Sequence, residues 1–158
     1  MNLTNQKSPL NDIYALFESH LQEGFKLLKI KPISIESRIR HFNLQPLPNP
    51  CEELELEVEF PGAICIIHFG QSEIHTDLFF SLVRFERQDH RALFLGDYLA
   101  ERNDKRKASL SFSDTEFTLE EGITRIVEVL VAIFNNELHP LLAGLTWITA
   151  EFDWEGYK

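Results

Sequence analysis

Cysteine is scarce in this chain: Cys51 and Cys65 are the two it has in 158 residues. That number excludes a disulfide framework, and a single pair so spaced does not make a zinc site. Positive charge is also sparse. Fifteen Lys and Arg stand against 25 Asp and Glu, for a formal net charge of −10. A protein that tracks phosphates needs a concentrated basic surface, so nucleic acid is not an expected partner. No apolar run approaches the ~20 residues of a membrane-spanning helix. The N-terminus, MNLTNQKSPLNDIY, lacks the basic segment and apolar run of about 7–15 residues that mark a secretory signal. The expected location is the cytoplasm, with no membrane partner.

Catalytic signatures are missing too. The sequence contains no G-x-x-x-x-G-K, G-x-G-x-x-G, G-x-S-x-G or H-E-x-x-H. Phosphate-cradling loops, nucleophile elbows and zinc helices therefore have no support. His75 and Asp77 share a strand face, and His68 could join them across a hairpin, but that spacing matches no known metal pattern. Cys65 and His68 lie three apart in a strand and face opposite ways. No cofactor and no metal are expected, and the protein is read as non-enzymatic.

What is present is a core. The hydrophobic fraction is 44%, with 13 Phe, which at this length suits one domain spanning 1–158 with flexible ends at 1–8 and 156–158. Its centre is ELELEVEFPGAICIIHF, residues 53 to 69. Glu53, Glu55, Glu57 and Glu59 alternate with Leu54, Leu56, Val58 and Phe60, so a strand there has one apolar and one carboxylate face. Pro61-Gly62 reads as a turn into a returning strand, Ala63 to Phe69. The register that puts every apolar residue on one face sets Leu54 against Phe69, Leu56 against Ile67 and Val58 against Cys65. It also sets Glu55 against His68, a modest cross-strand attraction.

The other elements follow in order. Leu10, Ile13, Phe17, Leu21 and Leu28 form a helical stripe over 9–28, with Ser8 as cap and Pro9 in the first turn. A short strand is expected from Ile33 to Ile39, with Arg38, Arg40 and His41 as a solvated face. LQPLPNP is a connector. Residues 75–88 form a third strand, 89–91 a turn and 91–99 a fourth strand, although GDYLAERND could instead be a helical turn or two. ERNDKRK is a polar loop and ASLSFS a fifth strand. Thr118 and Glu121 form a capping box for a long helix over 118–139, ended by Pro140. The tail alternates Ala150, Phe152 and Trp154 with Glu151, Asp153 and Glu155. The fold class is therefore α+β: an N-terminal helix, an antiparallel meander of four or five strands, and a long C-terminal helix packed on the sheet.

Function rests on the acidic alternations. Like charges along one face favour solvent or a cationic partner, and complementary charge speeds association. Glu53, Glu55, Glu57 and Glu59, with Glu151, Asp153, Trp154 and Glu155, are the candidate contact residues. In outline, a small acidic α+β chain of this kind resembles the bacterial immunity proteins, which neutralise cognate toxins that are often basic nucleases. In size, acidity and helix–sheet–helix order it also resembles the type III secretion chaperones, which bind an effector segment as homodimers. The first resemblance implies an inhibitor of a basic toxin domain. The second implies a homodimer, and a small-ligand binder or enzyme, which requires a pocket with convergent polar groups, is a third possibility.

Overall fold

A computed structural model describes residues 10–43 and 51–149. In chain order the elements are α1 (Asn11–Phe25), β1 (Ser34–Phe42), β2 (Cys51–Glu59), β3 (Ile64–Gln71), β4 (Leu78–Arg87), β5 (His90–Phe94), α2 (Leu95–Glu101), a 3-10 helix (Lys105–Leu110), β6 (Ser111–Ser113), α3 (Leu119–Asn136) and α4 (His139–Ala143). The strands form one antiparallel sheet in the order β1-β2-β3-β4-β5, with β6 pairing β4. This is the expected α+β arrangement of N-terminal helix, meander and long C-terminal helix.

The central hairpin takes the register its alternation requires. Leu54 pairs with Phe69, Leu56 with Ile67, Val58 with Cys65 and Glu55 with His68. The Phe60 N–H donates to the Ala63 carbonyl at 2.8 Å, closing the Pro61-Gly62 turn. That turn rests on the end of α4. The Gly62 N–H donates to the Leu142 carbonyl at 2.7 Å, and a Cβ on Gly62 would stand 2.0 Å from the Gly144 nitrogen. Arg87 holds both sides, donating to the Gly62 carbonyl at 2.6 Å and the Leu141 carbonyl at 2.8 Å.

One face of the sheet carries the core. The buried stripe of α1 is Tyr14, Phe17, Leu21 and Phe25, spaced three or four apart. Leu10 and Ile13 pack at its margin. Phe17 stacks on Phe69 with ring centres 4.2 Å apart, and Phe134 of α3 meets Phe85 edge-on at 5.3 Å. Asn135 joins the helices by accepting from the Lys29 N–H at 2.7 Å and donating to the Leu27 carbonyl at 3.1 Å. The Thr118–Glu121 capping box is formed as its sequence predicts.

Four expectations are corrected. The first strand runs on to Phe42, so the basic residues lie within it. The fourth strand stops at Phe94, and Leu95, Tyr98 and Leu99 bury as one side of α2. The turn after β4 is Gln88-Asp89, and Arg91 is in β5. Ala108 and Leu110 sit in the 3-10 helix, which leaves three residues for β6. Helix α3 ends at Asn136 with Glu137 as its C-cap, short of the expected 139, and Pro140 falls in the first turn of α4, where a missing N–H costs nothing. The Ser8 cap, Pro9, the chain ends and the whole LQPLPNP connector lie outside the described residues.

Candidate functional site: the open face of the sheet

The helices cover one side of the sheet, and the strand registers fix what stands on the other. Arg38, Glu55, His68 and Leu82 form one cross-strand row. The next row is Arg40, Glu53, Gly70 and Phe80, because Arg40 pairs with Glu53 and Gly70 with Phe80. On the other side lie Glu36, Glu57, Ile66 and Arg84, then Ser34, Glu59, Ile64 and Glu86.

The four-glutamate ladder divides in two. Glu57 and Glu59 are exposed, as a solvated face requires. Glu53 and Glu55 are not: each is 7% exposed, as is His68. Buried carboxylates need partners, and β1 supplies them. Arg38 Nε donates to Glu55, and Arg40 Nη1 lies 3.5 Å from Glu53 and 3.4 Å from Glu55. The expected solvated arginines are thus the counter-ions of the ladder, while His41 pairs with Glu52 on the helix side of the sheet, 3.8 Å away.

Burial works to raise the Glu55 pKa, but the hydrogen bond and charge of Arg38, with His68 and Arg40, outweigh it and hold the carboxyl below its ordinary value. The same hydrogen bond raises Arg38.

His68 is the hub. Its Nδ1 lies 2.5 Å from Glu53 Oε1, and since a carboxylate can only accept, that nitrogen carries the proton. Its Nε2 lies 3.2 Å from Glu55 Oε1 and 3.1 Å from Arg84 Nη1. Protonated, Nε2 donates to Glu55; unprotonated, it accepts from Arg84. Either way both ring nitrogens have protein partners. Its chemistry here is to tie β2, β3 and β4 together.

Beside the hub the face turns apolar. A groove of about 580 Å³ lies between β4 and the α2–3-10 segment. Its borders include Phe80, Leu82 and Arg84 from β4, Phe94 and Asp97 around the start of α2, and Lys107 from the 3-10 helix. Leu82 is 61% exposed and Phe94 46%. Under its floor the Ser81 hydroxyl donates to the Leu110 carbonyl at 2.6 Å, fixing the 3-10 helix to β4. The strand pattern at 75–88 did contain Phe80 and Leu82 on one face. Nothing local in the sequence says that face is uncovered.

The remaining sequence candidates are placed plainly. Cys51 and Cys65 are free and buried, and burial pushes the Cys65 thiol far up, which makes it inert. Asp77 accepts from the Ser113 hydroxyl at 2.8 Å, and among the described residues no group of His, Cys, Asp and Glu is arranged to hold a metal ion. No helix among the described residues is long and apolar enough to cross a membrane. Glu151, Asp153, Trp154 and Glu155 lie outside the described residues. Comparison with protein-family models, curated proteins and solved structures found no match to this chain.

Proposed function

We propose that the protein is a non-enzymatic binding module of the immunity type, which docks a basic partner domain on the open face of its sheet. The observation that carries this reading is the juxtaposition on that face. Leu82 and Phe94 stand exposed over the groove, while Glu36, Glu57 and Glu59 are exposed on the same side of the sheet. An exposed apolar groove marks an interaction surface, the carboxylates of Glu36, Glu57 and Glu59 share its face of the sheet, and the net charge of −10 favours a basic partner. Glu53 and Glu55 leave the contact set, because their charge is spent internally; Glu57 and Glu59 remain in it.

The test is a titration against the candidate partner, the basic domain captured with this chain from its parent cell and then purified. The reading predicts a one-to-one complex whose association rate falls as salt rises, and a slower rate for the double reversal Glu57→Lys and Glu59→Lys. An association rate insensitive to both salt and reversal would remove the exposed carboxylates from the account. A second reading draws on Lys107 and Arg84, which border the same apolar groove and suit a small acid with an apolar body. It predicts NMR shifts at Leu82 and Phe94 on adding medium-chain fatty acids alone; unshifted signals at saturation dispose of it.

A further inference from the structure

At the far side of the sheet from the groove lies β1, and among the described residues no strand pairs its outer edge. Such an edge presents a row of backbone N–H and C=O groups to any extended chain, and natural edges are blunted by proline, charged side chains, bulges or short length. β1 has no proline or bulge and is not short; of these devices it carries charge alone, at Glu36, Arg38 and Arg40. It is nine residues long, SIESRIRHF, in unbroken register with β2 from Ser34 to Phe42.

The order of its charges selects what can pair with it. Two copies meeting antiparallel cross on a two-fold axis. An axis at Arg38 sets guanidinium against guanidinium, one at Glu36 sets carboxylate against carboxylate, and one at Ile39 sets Arg38 against Arg40 twice. An axis at Ser37 avoids all three. It places Glu36 opposite the second copy's Arg38, and Arg38 opposite that copy's Glu36. Ser34 then faces Arg40, and on the helix side Ile35 faces Ile39. Opposite charges directly across a sheet stabilise and like charges destabilise.

We propose that two copies of this chain pair β1 to β1, antiparallel about Ser37, into one continuous sheet. The groups this needs are available. Glu36 is exposed and makes no ion pair among the described residues. Arg38 spends Nε on Glu55 but keeps a side chain 70% exposed, with its terminal nitrogens free to take a second carboxylate. Ile39 is 38% exposed and gains Ile35 of the second copy as cover. The inference shares Glu36 with the acidic side of the proposed docking face, but the groove lies across the sheet on β4 and self-association is read without any partner domain.

Sedimentation velocity of the full chain tests it, with circular dichroism confirming that each variant folds. The wild type is expected at twice the monomer mass of 18.4 kDa. E36R sets Arg against Arg and R38E sets Glu against Glu, so each alone sediments as a monomer. Mixed in equal amounts they match at both crossings, and the dimer peak returns. E36R leaves the Arg38–Glu55 pair intact, so it carries the test even if R38E folds poorly. A wild type that stays monomeric at high micromolar concentration overturns the proposal. So does E36R dimerising as the wild type does, or a mixture of two folded variants that stays monomeric.

Discussion

Replacing His68 with Leu should cost stability through what it leaves behind. His68 and Glu53 are each 7% exposed, and the ring nitrogen 2.5 Å from Glu53 Oε1 is that carboxylate's nearest partner. Removing one member of a buried pair typically costs about 3–5 kcal/mol, because the other charge is stranded. Here Arg40 remains, 3.5 Å from Glu53, and Glu55 keeps Arg38. The expected loss therefore falls below that range, at about 2–3 kcal/mol. Glu53→Leu alone should cost less, about 1 kcal/mol, since His68 and Arg40 can both turn to Glu55. The double variant strands nothing and lays two leucines beside the Phe80 ring. It should be more stable than His68→Leu by itself, with a coupling of about 1–2 kcal/mol between the sites. Urea unfolding at pH 7, followed by circular dichroism with equal m-values, measures all four corners of the cycle. Additivity within about 0.3 kcal/mol would refute the reasoning, because it means the hub is not satisfied from within.

Three further outcomes are expected. Cys51 and Cys65 are both buried, so neither should react with a thiol reagent in the native protein, and both should react in denaturant. Arg106 holds Asp104 down at about 2 by a hydrogen bond to its carboxylate and holds Glu137 low in the same way. Depressed carboxylates stabilise above their unfolded values of 3.8 and 4.5, so the Tm gap between wild type and Arg106→Met should be constant from pH 7 to about 5 and close as pH falls towards 2. Thr118→Ala breaks the capping box of α3 and should lower stability by about 1 kcal/mol in urea melts.

The hairpin register and the α3 cap were legible because each is a local pattern with one solution. Alternation admits a single pairing that keeps Leu54, Leu56, Phe69 and Ile67 together, and T-x-x-E before an apolar stripe has one meaning. The fate of Glu53 and Glu55 was not legible from their own strand. Alternation shows that residues share a face, not what stands across from it. The signal lay elsewhere: Arg38 and Arg40 have the same two-residue spacing as Glu53 and Glu55, so antiparallel strands can match them pair for pair. In FLGDYL two apolar pairs separated by Gly96-Asp97 suit strand and helix alike, and packing of Leu95, Tyr98 and Leu99 decided for the helix. The groove has no sequence signature, since Leu82, Phe94 and Lys107 meet only after three separate segments are in place.

The central claim, that the open face docks a partner, is tested most directly at Leu82 and Phe94. Burying a fully exposed leucine is worth about 1.5–3 kcal/mol. Leu82 starts 61% exposed, so Leu82→Ala should weaken partner binding by about 1–2 kcal/mol, roughly 5- to 30-fold in Kd. Phe94→Ala should do at least as much, with Tm unchanged for Leu82→Ala because an exposed side chain adds little to folding. Ile74, 77% exposed in the β3–β4 loop, is the control, and Ile74→Ala should bind as the wild type does. Calorimetric titration of the purified basic partner against the three variants supplies the numbers. Selective loss at Leu82 and Phe94 is the predicted result. Wild-type affinity in both, or an equal loss at Ile74, contradicts the account.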